Sequence, residues 1–374
     1  SPIAAIKWAI DIQKGLLVEE WPAAMLETPT CAIQYTTPEE MAEFQLQTPL
    51  LIWRGLRVRC GIHSGFPICS PDPTTSRMDY FGPMVNRTAR IGSMALGGQT
   101  LVSSSLFDNI SSEDFIRHDC ITRQMGEYVL KGISTPESLV EIQANALAAR
   151  KLPKVDTAKP VESEGFASMM AMISAAEEKA SSLIDAGMID MDALGEADSN
   201  APKGEVVLVF TDVENSTKLW ENFTGDMERA LELHNDLMRL LIAEHNGYEV
   251  KTEGDAFMIA FQDPLDAVRW MLACQCRLTA VDWPHAMLSC AECQTVLTLP
   301  DQPDSQPLWR GLRVRMGAHM GFPICTPDPL TKRMDYFGPM VNRAARVAGA
   351  AHGGQVVVSR RLWMTVRTHL MDIG

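Results

Sequence analysis

One string of eleven residues, Arg-Met-Asp-Tyr-Phe-Gly-Pro-Met-Val-Asn-Arg, occurs twice in this chain, at positions 77–87 and again at 333–343. A second string, Trp-Arg-Gly-Leu-Arg-Val-Arg, occurs at 53–59 and 309–315, so both strings recur after the same interval of 256 residues. Solenoid proteins repeat every ~20–50 residues, whereas an interval this long indicates duplicated globular domains. A chain of 374 residues is long enough for two such domains, which we call the first copy and the second copy.

The charge and the apolar content of the chain narrow its class. A net charge of −14 argues against a nucleic-acid-binding protein, whose affinity depends on cationic groups that neutralise phosphates. No apolar run reaches the ~18 residues of a membrane span, and the start of the chain shows no signal-peptide pattern. The nine cysteines include a lone C-x-x-C at Cys290 and Cys293, and no histidine stands at zinc spacing, which predicts reduced thiols. We therefore expect a cytoplasmic protein without nucleic acid and without a membrane span in this segment, and membrane association through other parts of a parent protein stays open.

Alignment of the two copies indicates that each lacks a different end. The Ser1-Pro2 pair matches Asp263-Pro264, so the first copy begins partway through the domain. The segment Gly-Glu-Tyr-Val-Leu-Lys-Gly at 126–132 of the first copy has no counterpart in the second. Both copies are therefore expected to be incomplete.

Three regions follow from this alignment. Residues 1–150 are expected to form the C-terminal part of a first domain, and residues 204–374 a second domain that lacks its last strands. Residues 151–203 between them are rich in acidic residues, alanine and serine. Such a composition predicts an acidic linker, disordered or partly helical, with a helix at 166–184.

Turn signals divide the second copy into elements. Asn246 and Gly247 end a long helical pattern, and Glu253 and Gly254 stand between two runs rich in β-forming residues. The pattern predicts strands at 205–210, 312–317 and 355–359, a hairpin at 248–261, and helices at 226–245 and 341–350. The order β-α-β-β-α-β, with additions, predicts an α+β fold with ferredoxin-like topology, present as two incomplete copies.

Capping residues mark the starts of several helices. Asn215, Ser216 and Thr217 offer N-caps after the first strand of the second copy. Asp263 and Ser1 each precede a proline, which is the usual start of a helix. The backbone N–H groups at 213–217 enter a helix and are candidates to hold a triphosphate.

Two aspartates of the second copy are candidate metal ligands. Asp212 follows the first strand, and Asp255 stands at the bend of the hairpin that packs beside this strand in a ferredoxin-like sheet. Carboxylates that meet at one edge suit Mg²⁺ or Mn²⁺, which bind through one or two carboxylates plus substrate phosphates. Taken singly, Asp212 is better explained as a helix cap and Asp255 as a turn residue, so only their combination indicates a metal site.

Three segments of the second copy resemble the catalytic domains of class III nucleotidyl cyclases, in particular those of the fungal adenylate cyclase type. They are 207–217 (Val-Leu-Val-Phe-Thr-Asp-Val-Glu-Asn-Ser-Thr), 251–257 (Lys-Thr-Glu-Gly-Asp-Ala-Phe) and 333–346, which contains the repeated string. Each motif is short, but their order and spacing agree with the family. The resemblance covers nearly all of the second copy and the later part of the first, and it leaves the linker out.

The resemblance implies a role for each matching residue. Two Mg²⁺ or Mn²⁺ ions per site are held by metal-binding residues, here Asp212 and Asp255 with Val213 beside them. Other residues bind the substrate: Lys251 and Asp335 (Asp79 in the first copy) for the purine, Lys131 for the triphosphate, and the helix-entry residues Asn215, Ser216 and Thr217. The catalytic residues are the ribose-orienting Asn342 and the transition-state-stabilising Arg346, which match Asn86 and Arg90 in the first copy.

The chemistry of these residue types agrees with the implied roles. Lys251 donates where adenine presents a ring acceptor, and Asp335 accepts where adenine presents its amino group, a pattern that guanine reverses. Asn342 and Arg346 are four residues apart on a predicted helix and share one face. An arginine offers a planar cationic donor for phosphoryl oxygens as charge develops. The substrate implied is therefore ATP.

The resemblance implies an adenylate cyclase, a lyase that converts ATP to 3′,5′-cyclic AMP and pyrophosphate in cyclic-nucleotide signalling. In this family the site lies between two cyclase domains, so the implied partner is a second cyclase domain, from a tandem pair or a homodimer. We expect this segment alone to be weakly active or inactive, unless the second copies of two chains form a homodimer. The alternative is a non-catalytic nucleotide-sensing or regulatory module with a degenerate copy. A palm-type polymerase or diguanylate cyclase shares the two carboxylates but does not predict the Asp, Asn and Arg spacing.

Overall fold

The computed structural model describes residues 1–150, 152, 200–298, 306–328 and 330–372. These residues form two compact units: the first contains Ser1–Pro67 and the residues from Pro83 to position 152, and the second contains Ile68–Gly82 and the residues from Asn200 onward. The helix predicted at 166–184 lies outside the described residues. Within the described part, no helix combines the length and apolar character needed to cross a membrane.

The chain before position 152 forms short helices and strands. Its helices are α1 (Pro2–Val18), α2 (Ala23–Leu26), α3 (Pro38–Glu43), α4 (Pro83–Met94), α5 (Ser104–Phe107) and α6 (Ser112–Arg117), with a 3₁₀ turn at Asn145–Leu147. Its strands are β1 (Gln34–Tyr35), β2 (Leu51–Trp53), β3 (Cys60–Ile62), β4 (Ile68–Pro71), β5 (Met78–Phe81), β6 (Thr100–Ser103), β7 (Cys120–Tyr128) and β8 (Glu137–Ala144). The first unit's main sheet has the order β3-β6-β8-β7, and β4 pairs with β5 as a hairpin that belongs to the second unit.

The remainder of the second unit contains the elements of the second copy. Its helices are α7 (Ser216–Asn222), α8 (Thr224–Glu244), α9 (Pro264–Leu278), α10 (His285–Leu288), α11 (Pro339–Gly349) and α12 (Arg360–Val366), followed by a 3₁₀ segment at Arg367–Asp372. Its strands are β9 (Val206–Val213), β10 (Tyr248–Glu253), β11 (Ala256–Phe261), β12 (Val296–Leu297), β13 (Pro307–Trp309), β14 (Val314–Gly321), β15 (Ile324–Pro327), β16 (Met334–Phe337) and β17 (Val356–Val358).

The main sheet of the second unit has the order β10-β11-β9-β14-β17. Its first four strands pair antiparallel in the arrangement of a ferredoxin-like sheet, and β17 adds to β14 in parallel. The topology predicted from the sequence is confirmed. Because β9 lies between β11 and β14, its end is next to the bend of the β10–β11 hairpin.

The central strand β9 is buried on both faces, as its uninterrupted apolar run predicts. Val207 and Val209 pack into a core with residues of α8 and α9. Leu208 and Phe210, which point to the opposite face, pack into a second core with α11. Helices therefore cover both faces of the sheet, which fixes the position of the residues at its end.

Local signals explain where several elements begin and end. Asn246 has a φ of 56°, the left-handed conformation that ends α8 as predicted. Asp263 caps α9, because its Oδ1 accepts a hydrogen bond of 2.7 Å from the N–H of Leu265. The hairpin bends at Gly254, with a φ of 61°.

Some capping and strand predictions are wrong in detail. Asn215 occupies the N-cap position of α7 with a φ of 60°, and its side chain makes no cap hydrogen bond. Ser1 precedes α1 without a side-chain cap either. The strand predicted at 312–317 begins later, at Val314, and continues to Gly321 because its ladder follows the whole length of β9.

His234 is a fully buried histidine on α8. Its ring lies edge-on to Phe257, with ring centroids 5.8 Å apart, and its Nδ1 pairs with Oδ1 of Asn235 at 2.9 Å. Its Nε2 is buried without a hydrogen-bond partner among the described residues. Burial lowers the pKa of His234 to about 4, so the ring is neutral in the folded protein near pH 7.

We expect His234 to make the folded protein less stable in acid. An unfolded histidine takes up a proton below about pH 6.5, whereas the folded ring resists protonation until about pH 4. Stability present above pH 6.5 is therefore lost as the pH falls through this window, by about 1.4 kcal/mol per pH unit. The free energy of unfolding in urea is measured at pH 7 and at pH 5. Its decrease from pH 7 to pH 5 should be about 2 kcal/mol smaller in His234→Phe than in the wild type. His352→Gln, at an exposed histidine, should match the wild type; an unchanged difference in His234→Phe would refute the expectation.

Candidate functional site

The two aspartates predicted to bind metal lie together at one end of the sheet. Asp212 is near the end of β9, and Asp255 stands directly before β11, the neighbour of β9. Only 3% of Asp212 and 9% of Asp255 is exposed. The N–H of Val213 donates to Oδ2 of Asp255 at 2.9 Å, which ties the hairpin bend to the end of β9.

The surroundings of this pair, which we call the metal pair, disfavour two negative charges. Burial raises the pKa of Asp255, and the negative charge of Asp212 raises it further. Hydrogen bonds from the Val213 N–H and from the side chain of Ser216 oppose this rise. The metal pair therefore needs a cation to be fully ionised.

Arg315 supplies such a cation and was missed in the sequence. The register of β14 on β9 places Arg315 opposite Asp212, and its Nε donates to Oδ2 of Asp212 at 2.9 Å. A second guanidinium nitrogen contacts the same oxygen. Arg315 is the last residue of the repeated string at 309–315, in which arginines alternate with apolar residues as on a strand. This alternation was the signal from which its position in the sheet could have been predicted.

The donor set of the metal pair fits a hard divalent cation. The carboxylates of Asp212 and Asp255 offer oxygen atoms to a cation, and they are close enough to influence each other's ionisation. The backbone of Val213 adds a carbonyl next to Asp212, and Mg²⁺ and Mn²⁺ favour such oxygen ligands together with substrate phosphates. Asp212, Val213 and Asp255 are thus the residues that would hold the metal.

Removal of Arg315 should make the fold dependent on divalent metal. The side chains of Arg315 and Asp212 are 14% and 4% exposed, so Arg315→Gln leaves a buried carboxylate without its cation. Loss of one partner from a buried pair costs about 3–5 kcal/mol. Thermal unfolding in EDTA and in Mn²⁺ should show a larger stabilisation by Mn²⁺ in Arg315→Gln than in the wild type.

The control for this experiment is a surface pair. Arg361 binds Glu205 with side chains 52% and 32% exposed, and such pairs contribute about 1 kcal/mol or less. Arg361→Gln should therefore keep the wild-type response to Mn²⁺. An Arg315→Gln protein that is as stable as the wild type in EDTA would contradict the role of Arg315 as the cation for Asp212.

The helix-entry residues lie beside the metal pair. Asn215 turns the chain in a left-handed conformation, and α7 then begins at Ser216. Ser216 is within hydrogen-bond reach of Asp255, and Thr217 is buried. The predicted triphosphate-binding segment is thus adjacent to the predicted metal ligands, and its role in substrate binding stays a prediction.

Lys251 and Asp335, which we call the purine pair, are in direct contact. Lys251 on β10 donates from Nζ to Oδ2 of Asp335 on β16 at 2.8 Å. The two side chains are 22% and 18% exposed, and the ammonium lies 5.9 Å from the ring centroid of Phe337. Residues 84 positions apart in the sequence therefore form one donor–acceptor pair that is partly exposed to solvent.

The residues predicted to orient the ribose and to stabilise the transition state lie on matching helices in the two copies, but they differ in exposure. Asn342 and Arg346 lie on α11, where Asn342 is half-buried and Arg346 is exposed. Their counterparts Asn86 and Arg90 lie on α4, and Arg90 is only 4% exposed. The arginine of the second copy is therefore the more accessible one.

The remaining candidates belong to the first copy. Lys131 is exposed and lies in a turn between β7 and β8. The chain reverses next to it at Gly132, which has a φ of 79°. Asp79 on β5 accepts a 2.8 Å hydrogen bond from the N–H of Tyr80, and burial raises the pKa of its carboxyl.

Comparisons with known proteins agree with the sequence motifs. The family described as adenylate and guanylate cyclase catalytic domain matches residues 23–141 and 199–372. An adenylate cyclase of Podospora anserina is 46% identical over 164 residues, which cover 44% of this chain and 8% of that protein. An adenylate cyclase of Mycosarcoma maydis is 51% identical over 159 residues, which cover 42% of this chain and 6% of that protein.

A solved structure of adenylate cyclases from Trypanosoma brucei in their monomeric state is 36% identical, with a TM-score of 0.39. The match covers 46% of this chain and 80% of that chain. The chain spans less than a tenth of the length of the two fungal relatives that it matches.

Proposed function

The chain belongs to the adenylate and guanylate cyclase catalytic domain family, and from this premise we propose that it takes part in the conversion of ATP to 3′,5′-cyclic AMP and pyrophosphate. The observation that carries this proposal is the 2.8 Å contact between Lys251 and Asp335. A lysine that donates and an aspartate that accepts, side by side, match the ring nitrogen and the amino group of adenine. Guanine would place a donor against the lysine and an acceptor against the aspartate. A site that leaves its hydrogen-bonding groups unmatched in this way rejects the wrong base strongly. The names of the fungal relatives support the same substrate.

The metal pair supports the chemical step. Asp212 and Asp255 would hold the divalent metal ions that, when bound, help to activate the ribose 3′-hydroxyl and to stabilise the departing pyrophosphate. Before metal binds, Arg315 keeps Asp212 charged and oriented through the hydrogen bond at 2.9 Å. Because a guanidinium also binds phosphate oxygens well, Arg315 has a second partner available when metal occupies Asp212.

Asn342 and Arg346 supply the remaining functions. They are four residues apart on α11 and so lie on one side of the helix, where Asn342 would orient the ribose. Arg346 is exposed and free to reach a phosphate that is bound by another domain. A fixed cationic donor of this kind stabilises the charge that develops on the α-phosphate.

We further propose that a second cyclase domain completes the site, either the other copy in the chain or a second molecule. One domain would supply the metal pair, and the other would supply either the purine pair with Asn342 and Arg346 or the first-copy residues Asp79, Asn86 and Arg90, which include no match to Lys251. The nine cysteines are all free thiols, which supports a reducing compartment such as the cytoplasm.

The test of this function is product analysis. Purified protein, at a concentration at which two chains associate, is incubated with ATP and Mn²⁺, and cyclic AMP and pyrophosphate are quantified over time. The proposal expects equal amounts of both products and their loss in EDTA. Binding of ATP without either product would favour the alternative, a non-catalytic nucleotide-sensing module.

A further inference from the structure

The strand that carries Lys251 contains a bulge directly before it. Glu249 pairs with Ile259 and Lys251 pairs with Met258, so Val250 is the extra residue on β10. A bulge redirects the side chains that follow it and recurs next to functional sites. The direction in which Lys251 leaves the sheet is therefore set at Glu249 and Val250.

Arg333 holds this bulge to the strand that carries Asp335. Its guanidinium donates to the backbone oxygen of Glu249 at 2.6 Å and lies 4.6 Å from the ring centroid of Tyr248. Tyr248 also contacts the strand that carries Asp335, because its hydroxyl accepts a 3.0 Å hydrogen bond from the N–H of Met334. We call Tyr248 and Arg333 the clamp; it joins β10, three residues before Lys251, to the residue that directly precedes β16 and lies two positions before Asp335.

Further contacts immobilise both sides of the clamp. The carboxylate of Glu249 accepts from Arg239 at 3.0 Å and from the hydroxyl of Thr252 at 2.7 Å. On the other strand, the hydroxyl of Tyr336 donates to the backbone oxygen of Pro202 at 2.8 Å, and its ring is fully buried. The backbone on each side of the purine pair is therefore fixed, while the purine pair itself stays partly exposed.

We propose that Arg333 and Tyr248 are positioning residues that set the purine selectivity of the site. This inference rests on the proposed function, since it assumes that Lys251 and Asp335 contact the base. A base must enter between a lysine and an aspartate that bond each other at 2.8 Å, so their separation decides which edge fits. The clamp limits that separation, because it joins the two strands next to both residues. A loosened clamp allows the pair to adjust to guanine.

The repeated string provides a matched control for Arg333. Arg77 occupies the same position in the first copy, with the same ten residues after it. Its side chain is exposed, whereas that of Arg333 is half-buried against Tyr248. Arg77→Gln therefore makes the same substitution in the same local sequence without removing the clamp.

The experiment compares kcat and KM for ATP and GTP in the wild type, Arg333→Gln and Arg77→Gln. A site that loses part of its hydrogen-bond discrimination loses selectivity steeply, so Arg333→Gln should lower the ATP-to-GTP ratio of kcat/KM by about tenfold or more. The change should appear mainly as a higher KM for ATP, because the base is bound before the transition state. Arg77→Gln should leave the ratio unchanged.

Conservative variants keep the test valid if Arg333→Gln does not fold. Arg333→Lys retains a cation near the ring of Tyr248 and should keep most of the selectivity. Tyr248→Phe retains the ring but loses the bond to Met334, and should lower the ratio by a smaller factor than Arg333→Gln.

Two results would overturn the inference. If the clamp variants lose activity towards ATP and GTP by the same factor, the clamp is only structural. The same conclusion follows if Arg77→Gln changes the ATP-to-GTP ratio of kcat/KM as much as Arg333→Gln does. A wild-type protein whose chains associate but form no cyclic AMP would instead reject the proposed function. In that case, the ratio of ATP to GTP binding by equilibrium dialysis in the same variants still tests the clamp, and an unchanged ratio would reject it.

Discussion

Asp212→Asn and Asp255→Asn are each expected to lower kcat for cyclic AMP formation by about 1,000-fold or more. A metal ion contributes several kcal/mol to the stabilisation of transition-state charge, and each 1.36 kcal/mol corresponds to a factor of ten in rate. Both aspartates are oxygen donors at the buried end of the sheet, and an asparagine there keeps the shape but removes the charge. The loss should appear in kcat and be the same in Mg²⁺ and in Mn²⁺.

The control for these variants is Asp236→Asn, at an exposed carboxylate on α8 that is outside the metal pair. It should retain wild-type kcat, which excludes an effect of net charge alone. Measurement of Mn²⁺ binding by calorimetry should show weakened binding in Asp212→Asn and Asp255→Asn only. A variant at either aspartate that binds Mn²⁺ weakly but retains kcat within about threefold would contradict a metal-dependent reaction at this pair.

The double variant Lys251→Glu with Asp335→Cys is expected to change the preferred substrate from ATP towards GTP. In the wild type, Lys251 faces the ring acceptor of adenine. A glutamate at this position would instead accept hydrogen bonds from the ring N–H and the amino group of guanine. The cysteine removes the carboxylate of Asp335, which faces the guanine carbonyl unfavourably. Sites that recognise hydrogen-bonding groups discriminate by up to ~10⁴–10⁵-fold, so the ATP-to-GTP ratio of kcat/KM should fall by about 100-fold or more.

Cyclic AMP and cyclic GMP formation by the double variant, measured with equal concentrations of ATP and GTP, provides the readout. Both single variants should lose activity towards ATP without a comparable gain towards GTP, because each leaves one group of the purine pair mismatched. An unchanged ratio in a folded double variant would reject Lys251 and Asp335 as the residues that select the base.

Much of the fold of the second copy follows from its sequence, because its signals are local. The apolar run of β9, the end of α8 at Asn246 and the cap of α9 at Asp263 are each specified by a few neighbouring residues. The contact between Lys251 and Asp335 agrees with the implication that both bind the purine, and that role stays a prediction. Local chemistry and topology together were sufficient for these features.

The parts that the sequence did not reveal depend on tertiary contacts. The pairing of Arg315 with Asp212 follows from the register of β14 on β9, which no short motif encodes. The clamp of Tyr248 and Arg333 requires the bulge at Val250 to be known. Arg90 and Arg346 stand in nearly identical strings, yet only Arg90 is buried, since burial depends on what packs around each helix.

Mixing two inactive variants tests most directly whether one domain supplies the metal pair and another supplies the ribose and transition-state residues. One variant carries Asp212→Asn with Asp255→Asn, and the other carries alanine at all four of the residues Asn86, Arg90, Asn342 and Arg346. Each protein alone should form no cyclic AMP from ATP and Mn²⁺, whereas the mixture should regain activity that rises with protein concentration. A mixture that stays inactive, although both variants are folded and associate, would contradict a site shared between domains.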